Sequence, residues 1–205
     1  MQATASSGSL LEVSVSQSTL APAIKLAAVM LAVAVTAAAA QVSVPLPFTP
    51  VPLVLTPLAV LVTSAALGSR LGMAAQAAYL LAGMIGLPVF APSVQLPPGP
   101  LRLLGPTGGY LMAYPLAAFV TGYLAERGWD RRYWSSLAAM LLGLAVIFAG
   151  GVSWLALTVT PSMSAAVTVG LRWFILLDVL KLVAGAMILP QAWKLLGVRT
   201  WRRAG

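Results

Sequence analysis

The sequence predicts an all-α integral membrane protein, and three observations lead to that fold class. Of the 205 residues, 60% are hydrophobic and only 8% are charged, whereas a soluble domain carries about 25% charged residues. Mean hydropathy is +0.95. The apolar residues also fall into six runs near the roughly 20 residues that a helix needs to cross a bilayer.

Each run predicts one transmembrane helix. The predicted spans run from about Pro22 to Val42, Pro52 to Leu67, Leu71 to Leu87, Gly108 to Ala125, Ser135 to Leu157 and Leu171 to Leu195. The second and third are short and are joined only by the tripeptide GSR. We therefore expect a polar N-terminal tail over residues 1–21, a membrane domain over 22–195 and a basic cytoplasmic tail over 196–205.

The distribution of Lys and Arg predicts that both termini are cytoplasmic, because loops on that side carry the excess of positive charge. In this orientation Arg102 and Arg172 lie outside, and Lys181 lies within a span. The residues that lie inside are Lys25, Arg70, Arg127, Arg131, Arg132, Lys194, Arg199, Arg202 and Arg203. In either orientation the apolar helices would be in contact with membrane lipids.

Composition excludes several classes of function. There is no Cys and no His, which removes thiolate chemistry and the usual zinc sites. No GxxxxGK[ST] motif occurs, so the chain does not hydrolyse ATP through that loop. The net charge of +8 comes from scattered basic residues and does not indicate nucleic-acid binding. We therefore expect no catalytic residues, no metal site and no cofactor.

The segment LLDVLKLV places two charges inside the sixth predicted span. Asp178 and Lys181 are three residues apart, a spacing that puts both on one helix face. Charges within a span are costly and usually face the bundle interior, a cavity or each other. The pair is consistent with a structural ion pair, with the polar floor of a pocket open to the outside, or with a proton relay.

Small residues recur every fourth position in the first predicted span, at Ala28, Ala32, Thr36 and Ala40. Such a stripe lets another helix approach closely. The neighbouring helix belongs either to this bundle or to a separate membrane subunit, and the spacing does not choose between them.

Aromatic residues gather near the predicted outer ends of the helices. They are interface anchors or the walls of a site for a flat apolar ligand. The Gly-rich turn Gly105–Gly109, which enters the fourth span, offers backbone N–H groups at the mouth of such a site. The aromatic set is Phe48, Tyr79, Phe90, Tyr110 and Trp154.

Five segments together resemble the BioY family, the biotin-specific S components of energy-coupling-factor (ECF) transporters. They are VPLPFTPVPLVLTPLAV, LGSRLGMAAQAAYLLAGMIGLPVF, LGPTGGYLMAYPLAAFVTGYLAER, GGVSWLAL and DVLK. The resemblance covers about residues 40 to 190. It implies a six-helix S-component bundle in a bacterial cytoplasmic membrane, with an outward-facing biotin pocket under the loop between the first two helices.

The resemblance also implies partners and site residues. An S component works with a transmembrane coupling subunit and two cytoplasmic ATPases, and Ala28 and Ala32 are the expected contacts to the coupling subunit. Asp178 and Lys181 match the family's aspartate and lysine and are implied to bind the ligand. The other expected lining residues are Thr49, Tyr79, Thr107, Gly108, Tyr110 and Trp154.

Biotin suits this chemistry in two poses. In one, Asp178 accepts the ureido N–H groups, Lys181 donates to the ureido oxygen, and the carboxylate points outward, toward loop N–H groups or toward Arg102 and Arg172. In the other, Lys181 meets the carboxylate.

Other functions also remain open at this point: an S component for a different small solute, a solitary biotin transporter, a membrane enzyme acting on lipid and an assembly subunit. The first is motivated by Val54 and Thr56, which differ from the family pattern.

Overall fold

The structure is a computed structural model that describes residues 8–15, 19–93 and 96–195, and most of these residues are helical. The predicted tail at 196–205, and residues 1–7 and 16–18 of the N-terminal tail, lie outside the described residues. The helices are α1 (Leu10–Val15), α2 (Ala21–Gln41), α3 (Thr56–Leu67), α4 (Ser69–Met84), α5 (Leu101–Leu104), α6 (Gly108–Glu126), α7 (Tyr133–Thr158), α8 (Met163–Val167), α9 (Ile175–Gly185) and α10 (Ile188–Leu195).

Three helical stretches in the described residues are long and apolar enough to cross a membrane. They are Ala21–Gln41, Tyr133–Thr158 and the composite stretch Met163–Leu195. The membrane-protein class is thereby supported, although helix length and composition alone mark three spans where the sequence predicted six. α3 is a shorter apolar helix of 12 residues.

The last stretch differs from the single helix predicted over Leu171–Leu195. It begins at Met163, where the Ser162 hydroxyl caps the first turn by accepting from the Ala165 N–H at 3.3 Å. A π-helical segment, Thr168–Arg172, then joins α8 to α9. The break before α10 has a local cause, because Pro190 has no N–H to donate to the carbonyl of Ala186.

Close packing of α6 against its neighbours organises the bundle. A side chain at Gly122 would collide with the backbone at Gly68 and Ser69, and one at Gly109 would meet the Gly150 carbonyl and Trp154. Small residues at these points let the helix backbones touch. Gly68 has φ +90°, a conformation that favours glycine, and it allows α4 to begin directly after α3.

The small-residue stripe of α2 packs largely inside this bundle, which is one of the two arrangements that its spacing allows. Ala32, Thr36 and Ala40 are all buried, and Ala32 packs in a cluster with Leu67 and Ala75. The Thr36 hydroxyl accepts a hydrogen bond from Gln76 Nε2 at 3.3 Å. Ala32 is therefore covered by neighbouring residues of this chain, and Ala28 is half-buried at the edge of the same face.

The N-terminal tail contains α1, which begins with a reciprocal capping arrangement. The Ser9 N–H donates to Glu12 Oε2 at 3.4 Å, and the Glu12 N–H donates to Ser9 Oγ at 3.3 Å. This pattern satisfies N–H groups that the first turn of a helix leaves free.

Candidate functional site

A cavity of about 540 Å³ lies at one end of the bundle. Most of its wall comes from α6 and α7, the last helical stretch, the loop between α4 and α6, and the segment 42–55 between α2 and α3. The end of α2, the start of α3 and Tyr79 of α4 complete the lining. We call the segment 42–55 the cover loop. It folds back on itself through a short antiparallel pair in which Ser43 faces Val54 and Val44 faces Leu53.

Asp178 is the acidic residue of the cavity wall, with 6% of its surface exposed. Its Oδ1 lies 2.6 Å from the Lys181 Nζ. One turn of α9 separates the two residues, so the pair forms on one face as predicted. No hydrogen bond from the described residues reaches the second oxygen, Oδ2. The carboxylate therefore keeps one acceptor oxygen for a ligand.

Lys181 is turned away from the cavity. Besides Asp178, its Nζ donates to the Val54 carbonyl of the cover loop at 2.8 Å, and Lys181 is not among the described residues that line the cavity. Its role in the structure is to compensate the charge of Asp178 and to hold the cover loop.

Aromatic rings form much of the remaining wall. Tyr79 contacts Phe90 edge-on with 5.4 Å between ring centroids, and Tyr110 contacts Phe148 in the same manner at 6.3 Å. The two hydroxyls are occupied, because Tyr79 donates to the Val89 carbonyl at 3.1 Å and Tyr110 to the Gly170 carbonyl at 2.7 Å. These residues therefore contribute apolar ring surface to the wall, while their hydroxyls are already engaged.

Arg102 lies in the cavity wall rather than on an open loop. Only 7% of its surface is exposed, and its guanidinium donates to the carbonyls of Ala91 and Leu96. Arg172, by contrast, is exposed and lies 5.9 Å from the ring of Trp173. The two basic residues predicted to face an anionic tail thus have different positions, and only Arg102 lines the cavity.

The structure brings five of the eight predicted ligand-binding residues to the cavity wall: Thr49, Tyr79, Thr107, Tyr110 and Asp178. The other three have supporting positions. Lys181 holds the cover loop, as described above. Trp154 Nε1 donates to the Gly105 carbonyl at 2.9 Å, and Gly108 is packed so tightly against the Leu103 carbonyl that no side chain would fit. Trp154 and Gly108 therefore support the turn Gly105–Gly109 without lining the cavity themselves.

Other lining residues were not predicted from the sequence, among them Tyr114, Phe148 and Phe174. Tyr114 follows Tyr110 by four positions and so lies on the same helix face, a signal that could have found it. Phe148 has no such signal, since its place depends on how α7 packs against α6. In the part of the chain that the structure describes, no three His, Cys, Asp or Glu side chains are grouped to hold a metal.

The fold and the cavity define a class of protein: a helical membrane protein whose described residues enclose a cavity of small-molecule size. The chain belongs to the BioY family, whose model matches residues 12–198. The predicted resemblance is thereby confirmed.

Named relatives share this family. The biotin transporter BioY of Thermotoga maritima is 40% identical over 66% of this chain and 77% of its own length. The probable biotin transporter BioY of Pyrococcus horikoshii is 37% identical over 78% of this chain and 90% of its own. A crystal structure of the S component for biotin from an ECF-type ABC transporter superposes with a TM-score of 0.77. The match covers 87% of this chain and 95% of that one at 23% identity, so this similarity establishes the fold.

Proposed function

We propose that the chain binds biotin and takes it up across the bacterial cytoplasmic membrane as the S component of an ECF transporter. The observation that carries this proposal is the free Oδ2 of Asp178 in a cavity whose other walls are largely apolar and aromatic. A biotin ureido ring offers N–H donors for such an oxygen, and its bicyclic body fits between flat rings. The chain acts as a binding component and not as an enzyme, consistent with its family of transporters.

The contacts favour the pose in which the ureido head lies at Asp178. Lys181 is held away from the cavity by Val54, which argues against a carboxylate bound at that ammonium. The valerate carboxylate instead extends to Arg102, the basic residue of the cavity wall. Hydrogen bonds to charged groups contribute about 1.5–3 kcal/mol each, so the two ends of biotin are both held.

The membrane arrangement in this proposal has six spans, with both termini in the cytoplasm. α2, α3, α4, α6 and α7 provide five spans, and the composite stretch Met163–Leu195 provides the sixth. The excess of Lys and Arg on the side of both termini supports the orientation. The cavity then opens to the outside, where the vitamin is captured.

The proposed partners are a transmembrane coupling subunit and two cytoplasmic ATPases. Since Ala32 is buried, we place the contact to the coupling subunit on the opposite side of α2. Ala23, Ala27, Ala34 and Ala38 are exposed there, and small residues at this spacing permit close helix contact. The alternative is that the chain transports biotin without the coupling subunit and the ATPases.

Mass spectrometry of the protein purified in mild detergent tests the ligand directly. We expect biotin to be released on denaturation in amounts approaching one molecule per chain, and to rebind after it is removed. A different solute released in that amount, with no competition by added biotin, would show that the cavity serves another vitamin-sized molecule.

A further inference from the structure

Two hydrogen bonds tie the cover loop to the last helical stretch of the bundle. The Thr49 hydroxyl donates to the Val169 carbonyl at 2.7 Å, and Lys181 Nζ donates to the Val54 carbonyl at 2.8 Å. Phe48 also contacts the Trp173 ring, with 5.1 Å between centroids. These contacts join parts of the chain more than 100 residues apart and hold the loop across the cavity.

The carbonyl that accepts from Thr49 lies in a widened turn of the last helical stretch. Val169 and Gly170 belong to the π-helical segment Thr168–Arg172, and such single-turn widenings are frequent at functional sites. Both carbonyls accept from side chains that line the cavity, Val169 from Thr49 and Gly170 from Tyr110. A Cβ at Gly170 would collide with the Tyr110 hydroxyl, so glycine is needed for this close seat.

Besides its bond to Val169, the Thr49 hydroxyl makes a second hydrogen bond within the cover loop. Its hydroxyl oxygen also accepts the Val51 N–H at 3.2 Å, which fixes the tip of the loop. Val51 is 8% exposed and belongs to the main core cluster. Release of the Thr49–Val169 contact would therefore free the tip of the loop and uncover Val51.

We propose that Thr49 is a positioning residue whose hydrogen bond to Val169 latches the cover loop and so sets how long the cavity retains its ligand. Lys181 is the second anchor and links the ligand-facing carboxylate of Asp178 to the same loop. The retention part of this proposal rests on the proposed function. The latch itself does not, because both anchors are contacts within the protein.

Opening of the loop is measurable without ligand, because the chain contains no cysteine. Val51→Cys introduces one thiol under the loop, and its rate of labelling by a water-soluble maleimide reports exposure. Adding Thr49→Val should raise this rate by about threefold to tenfold, the range for loss of one hydrogen bond. Gly170→Ala, which displaces the acceptor but leaves the Thr49–Val51 contact, should act in the same direction.

Stopped-flow kinetics with biotin give the second measurement. Thr49→Val should raise the dissociation rate constant by a similar factor and change the association rate constant by less than twofold, whereas Thr49→Ser should restore slow release. Thr158→Val is the matched control, because Thr158 donates to the carbonyl of Trp154 within its own helix at 2.8 Å. Labelling rates that stay within twofold in both latch variants would overturn the latch. If the unmodified protein does not bind biotin, the proposed function is wrong. The labelling result still decides whether the latch exists, because it is measured without ligand.

Discussion

Asp178 and Lys181 form an ion pair of 2.6 Å, yet only Asp178 lines the cavity. Lys181 directs its ammonium to the cover loop. In the proposed function the two residues have different tasks: the carboxylate offers an acceptor to the ligand, and the ammonium binds that carboxylate and connects it to the loop.

Replacing Lys181 by Met should destabilise the protein strongly. The change leaves a buried carboxylate without its cation, and removal of one member of a buried pair typically costs about 3–5 kcal/mol. We expect a lower midpoint of thermal unfolding in detergent. The double variant Asp178→Asn, Lys181→Met should recover much of the loss, since it leaves no uncompensated charge. A double variant less stable than Lys181→Met would contradict this explanation.

Replacing Arg102 by Gln should weaken the binding of biotin more than the binding of biotin amide. The guanidinium is assigned to the valerate carboxylate, and a charge-assisted contact of this kind contributes about 1.5–3 kcal/mol, or roughly a factor of 10 to 150. Biotin amide lacks the negative charge, so its affinity should fall by a smaller factor. Isothermal titration of both ligands measures the difference, with the exposed Arg172→Gln as control. Equal losses for the two ligands would place the carboxylate elsewhere.

The two faces of α2 should respond differently to a larger side chain. Ala32→Leu inserts volume into a packed interior and should lower thermal stability, because overpacking costs about 1–3 kcal/mol. Ala34→Leu changes an exposed position and should leave stability unchanged while reducing co-purification with a coupling subunit. If Ala34→Leu assembles normally, the exposed face of α2 is not the contact.

Asp130 should make stability depend on pH at the end of the bundle opposite the cavity. Burial raises the pKa of this carboxyl from 3.8 to about 6, partly offset by the hydrogen bond from Trp193, whose Nε1 lies 2.6 Å from Oδ2. Between these values the folded protein binds more protons than the unfolded chain. Stability therefore falls as pH rises from about 4 to 6, and the loss is complete above the folded pKa.

Comparison with Asp130→Asn isolates this effect. The thermal midpoint of the unmodified protein should drop relative to that of the variant as pH increases across the window. Parallel curves for the two proteins from pH 4 to 7 would show that Asp130 does not titrate as described.

The sequence predicted what depends on local pattern. Asp178 and Lys181 were found because charges inside an apolar run have few explanations, and their spacing on α9 fixed their common face. Tyr79 and Tyr110 were identified from their place near helix ends. The boundaries of α2, α6 and α7 also agree with the apolar runs to within a few residues.

What the sequence could not predict depends on contacts between distant segments. Arg102 was placed on an outer loop, and its burial follows from carbonyls of Ala91 and Leu96 that only the folded loop brings together. Trp154 was expected in the cavity, but the packing of α7 directs its indole to Gly105. The π-helical seat of Thr49 has no sequence signature, since it exists only where α8 meets α9.

The affinity of Asp178→Asn for biotin tests the central claim most directly. The substitution keeps the shape of the side chain and removes the charge that receives the ureido N–H groups. Tryptophan quenching in detergent should show binding at least tenfold weaker than in the unmodified protein, whereas Asp130→Asn, the same change at the far end of the bundle, should bind normally. Unaltered affinity in a folded Asp178→Asn variant would contradict the assignment of Asp178 as the ligand-binding carboxylate.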